Sequence, residues 1–231
     1  IAVATIVASL ILSQGAMRII KFNKEVINVT GSAQKQIRSD YIIWRCGFTK
    51  REVDLPNAYK KLQADLKKIQ EYLLAKGVSE KEQYLSPVDT TKIYKKTKDG
   101  KETNDVEAYE LAQVIEIRSN EVDKIDAVSR EATELINDGI QLVSGAPQYF
   151  YTDLDKLKIE MLAKATENAK QRAESMVKST GNKVGSIRSA RMGVFQITPI
   201  TSTDVSDYGE NDTSSLDKKV MAVVGATFSI E

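Results

Sequence analysis

Glu25 to Phe48 reads EVINVTGSAQKQIRSDYIIWRCGF, and its alternation decides how the rest of the chain is parsed. In the first half Ile27, Val29, Gly31, Ala33 and Ile37 fall on one side, while Asn28, Thr30, Ser32 and Gln36 fall on the other. A period of two describes a strand with one buried face. Arg38-Ser39-Asp40 reads as a turn, after which Ile42, Trp44, Cys46 and Phe48 share a side. The two runs are therefore expected to pair as a hairpin.

Downstream the period changes. Asp54 is placed to cap a helix with Pro56 in its first turn, and Ala58, Leu62, Leu66, Ile69 and Leu73 recur at helical spacing. Two strands follow, about 83–95 and 106–118, joined at Asp99-Gly100, a dipeptide suited to the positive-φ positions of a hairpin turn. Tyr109, Leu111, Ile115 and Ile117 share one face of the second. A second helix carries Val122, Ile125, Val128, Ala132 and Leu135; after it come a strand at Ile140–Val143 and the run Gln148-Tyr149-Phe150-Tyr151. The longest helix is expected over about 154–178, then strands over about 184–198 and 218–230 separated by a Ser/Thr/Asp-rich loop. Three helices thus end on glycine and lead into apolar strands, at Gly77-Val78, Gly139-Ile140 and Gly181 to Val184. The expected order is ββαββαβαββ, preceded by an N-terminal apolar helix. This is an α+β fold with mixed or antiparallel sheets and helices packed on one face.

Upstream lies IAVATIVASLIL (1–12), flanked by the basic collar Arg18, Lys21 and Lys24. At ~1.5 Å per helical residue this run covers roughly 18 Å, short of the ~30 Å hydrocarbon core. The chain begins without methionine, so residues are expected upstream. A signal-anchor helix, a cleavable signal peptide and a buried helix all fit; Ser13-Gln14-Gly15 is a poor cleavage site, which favours the anchor. The domain reading is an anchor or signal segment over 1–24 and an α+β domain over 25–231, divisible near 150 into about 25–150 and 151–231.

Composition narrows the chemistry. Within the 231 residues there are 33 Lys plus Arg against 32 Asp plus Glu, a net charge of +1, so no global field favours nucleic acid. Histidine is absent and cysteine occurs once. Ser-His-Asp and Cys-His catalysis and every His-ligated metal site are excluded for these residues. A single thiol forms no internal disulfide.

The stretch Val29 to Tyr41 (VTGSAQKQIRSDY), the strand Ile42–Phe48, Ala58 near a helix start, Gly77-Val78, the hairpin with Tyr109, and the Ala-rich helix leading to Gly181-Asn182-Lys183-Val184-Gly185 together resemble the SIMPL-domain family. That family is a domain of unknown function that includes bacterial periplasmic immunogenic and oxidative-stress-defence proteins. The resemblance covers about 25–230. It implies an α+β fold in the bacterial cell envelope, export by an N-terminal signal or anchor, and closed homo-oligomers. It implies no catalytic residues.

Several side chains invite a chemical reading. Ser32-Ala33-Gln34-Lys35 has the Ser-x-x-Lys spacing of a nucleophile beside a lysine base, but strand geometry puts Ser32 and Lys35 on opposite faces; Ser175 and Lys178 repeat the letters. Cys46, between Trp44 and Phe48, reads as an apolar filler rather than a redox thiol. Asp204, Asp207, Glu210, Asp212 and Asp217 lack the spacing of a calcium loop and read as a solvated segment, or as the lining of an opening if subunits ring a pore. Ala165, Ala169 and Ala173, with Leu157, Met161 and Met176, form a small-residue stripe suited to packing on the chain's own sheet or to a contact between subunits. Aromatics on both sides of Tyr149-Phe150-Tyr151 suggest an interface there.

No catalytic, cofactor-binding or metal-binding residue is assigned, no cofactor is expected, and the chain is not read as an enzyme. The expected function is a membrane-anchored extracytoplasmic protein that assembles into a homo-oligomeric ring or barrel-like scaffold in the bacterial envelope. Its anchor would lie in the inner membrane and its body in the periplasm. The alternative is an anchored binding module for another envelope protein or a small ligand, through the 201–217 loop or the Asp99-Gly100 hairpin, with a link to oxidative-stress defence. Nucleic acid is not an expected partner.

Overall fold

Strands β1 (Val26–Arg38) and β2 (Tyr41–Glu52) form where the alternation puts them, but they do not pair with each other. The expected hairpin is corrected: β1 belongs to a five-stranded sheet and β2 to a six-stranded one. The reason lies in the junction. Arg38-Ser39-Asp40 holds no glycine and no positive-φ residue, and its main chain is taken up elsewhere, Ser39 N–H donating to the Leu216 carbonyl at 2.9 Å and Asp40 N–H to the Phe150 carbonyl at 3.0 Å. Such a link cannot fold one strand back on the other.

The computed structural model describes residues 9–15 and 25–231. Residues 9–15 are helical, with Leu10, Ile11 and Leu12 exposed. The rest of the expected anchor (1–8) and its collar (16–24) lie outside the described residues. Among the described residues no helix is long and apolar enough to cross a membrane. The described residues divide into two compact units, one of Arg38–Thr152 with Thr213–Leu216, the other of the described residues up to Ile37 with Asp153–Asp212 and Asp217–Glu231.

In the first unit β2 is followed by helix α1 (Leu55–Ala75), strands β3 (Gln83–Leu85), β4 (Asp89–Lys96) and β5 (Glu102–Ser119), helix α2 (Val122–Glu131) and strands β6 (Gln141–Ser144) and β7 (Gln148–Phe150). β5 pairs antiparallel with β2 on one side and with β3 and β4 on the other, while β6 and β7 pair antiparallel with the far edge of β2. With the broken strands taken together, this is a βαββαβ split unit, all antiparallel. Ile42, Trp44, Cys46 and Phe48 of β2 and Leu111, Ile115 and Ile117 of β5 meet Leu62, Ile69 and Leu73 of α1 and Ile125 and Val128 of α2 in one core. Full burial of each large aliphatic or aromatic side chain contributes about 1.5–3 kcal/mol. Trp44 is fully buried, and its indole N–H donates to Ser144 Oγ at 3.0 Å, which donates to the Ser129 carbonyl at 2.7 Å.

Helix ends follow the expected chemistry. Asp54 Oδ2 accepts from Asn57 N–H at 3.0 Å, and the left-handed Gly77 lets Val78 N–H donate to the Leu73 carbonyl at 2.9 Å. Beyond α2 the chain tightens into a 3₁₀ segment, Ala132–Asp138, which ends at the left-handed Gly139.

The second unit holds β1, helix α3 (Leu154–Lys178) and strands β8 (Val184–Met192), β9 (Gln196–Pro199), β10 (Glu210–Asn211) and β11 (Asp217–Ile230). β11 is central, with β1 on one side and β8 and β9 antiparallel on the other; the short β10 pairs parallel with β9. The single expected strand over 184–198 is broken at Gly193. α3 covers one face, its Ala169 and Ala173 packed on Val29, Ala226 and Phe228. Both sheets are mostly antiparallel with helices on one face, the α+β class expected.

Candidate functional site

The second unit's sheet has two long outer strands, and the fold treats them differently. β1 pairs with β11 alone among the described residues. Part of its remaining main chain is capped by α3: Ser32 N–H donates to Asn168 Oδ1 at 3.1 Å, and the Thr30 carbonyl accepts from Arg172 Nη1 at 2.9 Å. Side chains there stand in for a neighbouring strand, which blocks further pairing. β8 also pairs with β11 alone among the described residues, and from Ser186 to Met192 every residue is exposed.

On the face away from α3, a groove of about 410 Å³ runs over Gly225. Arg191 stands opposite Gly225 and Ser189 opposite Thr227 in the β8–β11 register. Ser189 Oγ donates to Thr227 Oγ1 at 3.0 Å, and Thr227 Oγ1 donates to Asn28 Oδ1 at 2.6 Å. The groove presents hydroxyls, an amide and a guanidinium, a set able to hydrogen-bond an anion or a polyol. It contains no nucleophile beside a base.

Above the opposite end of the sheet, the acidic loop is pinned rather than loose. Gln196, almost fully buried, donates through Nε2 to the Ser206 carbonyl at 2.5 Å and accepts from Ser206 N–H at 3.4 Å. Lys219 Nζ donates to the Ser202 carbonyl at 2.7 Å, and the buried Lys218 Nζ to the Asp212 carbonyl at 2.5 Å. Burial lowers the Lys218 pKa, and the Asp212 carboxylate opposes that shift. The loop's tip carries Val205 and Tyr208, the latter 95% exposed. Sequence reasoning passed over both; the one available signal was an aromatic beside Gly209 in an otherwise polar segment. Among the described residues no three acidic side chains converge on a point where a metal would sit.

The other singled-out residues separate. Ser32 and Lys35 do not form a catalytic pair: Lys35 Nζ meets Glu160 Oε2 at 2.9 Å, and Ser32 is engaged through its main chain. Hydrogen bonds from Lys164 and then Lys35 bring the Glu160 carboxyl down to about 2. Cys46 is fully buried, and burial pushes its thiol up to about 12. Ala165, Ala169 and Ala173 face the chain's own sheet, so the small-residue stripe is intramolecular packing. Met176 does not share that side; it is exposed, and Val177 closes the row instead. Tyr149 points inward and its hydroxyl donates to Asp126 Oδ1 at 2.7 Å, while Phe150 and Tyr151 are half-buried.

A charged cluster lies on the first unit's open sheet face. Glu116 accepts from Arg45 Nε at 2.6 Å and Arg118 Nε at 2.5 Å, and the Arg118 guanidinium lies 4.4 Å from the Tyr84 ring centroid. Burial raises the Glu116 pKa, but the two guanidiniums outweigh it and hold the carboxyl below its usual range. Cross-strand ion pairing explains the cluster without a ligand.

A family model described as "SIMPL: Protein of unknown function (DUF541)" matches residues 27–228, which takes in β1 and nearly all of β11. No curated protein matches the chain.

Proposed function

The chain belongs to the SIMPL family, and from that premise we propose that it is a non-enzymatic envelope protein, anchored at its N-terminus in the bacterial inner membrane, whose extracytoplasmic body assembles into a homo-oligomeric ring or barrel-like scaffold. The observation that carries this reading is apolar surface left uncovered on the second unit. Met192, Val194 and Tyr208 are exposed and line one depression beside the start of α3, and Met192 ends an outer strand whose far edge is open among the described residues. Soluble monomers seldom leave such a patch bare. The exposed Leu10, Ile11 and Leu12 of the N-terminal helical residues support insertion in a bilayer. Anchoring would concentrate subunits in two dimensions, so that modest contacts suffice for assembly.

Light scattering on the detergent-solubilised chain at micromolar concentration tests the assembly, and a monomer there overturns it. Protease added outside spheroplasts should remove the body and leave the anchor in the membrane fraction. Protection of the body would refute the orientation.

The polar groove over Gly225 favours a second reading, a binding module for a small anionic or polyol ligand. Arg191→Ala should abolish any such binding and leave assembly unchanged.

A further inference from the structure

The two ends of the second unit are complementary. At the C-terminal end of α3, Val177, Lys178, Gly181, Asn182, Lys183 and Val184 line a groove of about 460 Å³. Its floor is apolar, from Val177 and Val184. Its rim is cationic: Glu174, also at the rim, is held by Lys170 at 3.8 Å, whereas the Lys178 and Lys183 ammonium groups have no partner among the described residues. At the N-terminal end of the same helix, beside Leu154 and Lys158, stands the pinned loop bearing Tyr208. Around that ring are Asp207 and Glu210, exposed and half-exposed, with Asp204 further along the loop. α3 has 25 residues. A helix of that length separates its ends by roughly 37 Å. No tip can therefore reach the groove of its own unit.

We propose that Tyr208 of one copy inserts into the Val177–Val184 groove of the next, with Asp207 and Glu210 against Lys178 and Lys183. The proposal rests on the homo-oligomeric reading above and gives it an interface. Three features support this pairing. An aromatic anchor on a preformed loop loses little conformational freedom on docking, and Gln196 and Lys219 have already fixed this one. The groove offers an apolar slot where the ring would sit. The opposed charges set register and exclude tip-to-tip or groove-to-groove contacts, since like signs would then meet. Such a contact is heterologous, so each copy keeps a free tip and a free groove until the chain of subunits closes into a ring.

The experiment compares four forms of the full chain in detergent by light scattering, the parent among them. Tyr208→Ser has a disabled tip, and Lys178→Glu/Lys183→Glu has a disabled groove. Each should lower the apparent association constant at least about 30-fold, as loss of an interface anchor does. Mixed together they should form a one-to-one dimer and nothing larger, because one intact tip meets one intact groove. Adding Asp207→Lys to the groove variant should restore assembly. All four positions are exposed, so the variants should keep the parent's circular dichroism and melting temperature. If the parent assembles and both variants assemble equally well, this interface is wrong and the scaffold reading stands. Dissociated variants that fail to complement one another overturn the head-to-tail arrangement. A monomeric parent overturns the scaffold reading and this interface with it.

Discussion

Gly31 of β1 lies against α3 so closely that a Cβ at position 31 would stand 2.7 Å from the Ala169 Cβ and nearer still to the Ala165 carbonyl oxygen. The nearest obstacles are main-chain atoms, so no rotamer change relieves the clash. The alanine stripe is the other half of the same arrangement: small residues on the helix and glycine on the strand let the two backbones approach. Gly31→Ala should therefore destabilise the fold by at least about 2 kcal/mol through enforced backbone displacement. Gly225→Ala is the control, because its nearest neighbour is the Arg191 carbonyl at 3.9 Å. It should leave stability unchanged or slightly raised. Urea unfolding midpoints of the two variants check the contrast.

Lys50 and Asp65 make an ion pair of 2.7 Å in which the Asp65 side chain is only 9% exposed. Lys50→Met would leave a buried carboxylate without its cation, at a cost of about 3–5 kcal/mol. The double variant Lys50→Met/Asp65→Leu should recover most of that loss, since it removes both charges and keeps the volume. Additive losses in a double-mutant cycle would show that the two groups do not interact.

These two sites mark where the sequence was legible and where it was not. Gly77, Gly139 and Gly181 stop the chain's segments through their own backbone conformation, a local property, and each has a φ near +79°. Asp54 as a cap and the faces of β2, α1 and α3 are local too. Partner choice is not. Nothing between Ile37 and Tyr41 says that β1 will pair with β11, almost two hundred residues on, while β2 pairs with β5. Asp65 sits in a helix face otherwise made of Leu62, Leu66 and Ile69, and only the tertiary fold brings Lys50 to it. The candidate surfaces share that limit. An open strand edge or an exposed Tyr208 exists only once every other pairing is settled.

Cys46 gives a pH dependence with a definite sign. Its thiol ordinarily titrates near 9.0, and burial moves it to about 12 in the folded chain. Between those values the unfolded chain releases a proton that the folded chain retains, so stability is fully present below pH 9 and falls as pH rises toward 12. Cys46→Ala should remove that part of the slope, whatever its constant effect on stability. Tyr72 and Tyr149, also raised to about 12, contribute in the same direction in both proteins and cancel in the comparison. A maleimide should fail to label the folded parent at pH 8 and label it fully in denaturant. Rapid labelling of the folded protein would place the thiol at the surface and reopen a redox role.

Asn168 and Arg172 test whether the outer edge of β1 is guarded. Each satisfies one main-chain group of β1, and each contributes about 0.5–1.5 kcal/mol net as a hydrogen bond. Stability is the smaller part of the effect. Asn168→Ala/Arg172→Ala leaves the Ser32 N–H and the Thr30 carbonyl available to a strand from another chain, on an outer strand of 13 residues. Such an edge templates uncontrolled pairing. The double variant should therefore show concentration-dependent light scattering and thioflavin binding that the parent lacks, at temperatures below its own unfolding transition. Asn168→Asp keeps the acceptor for Ser32 N–H, so paired with intact Arg172 it should behave as the parent does. Aggregation of the double variant only on global unfolding would mean that these side chains stabilise the helix–sheet contact and guard nothing.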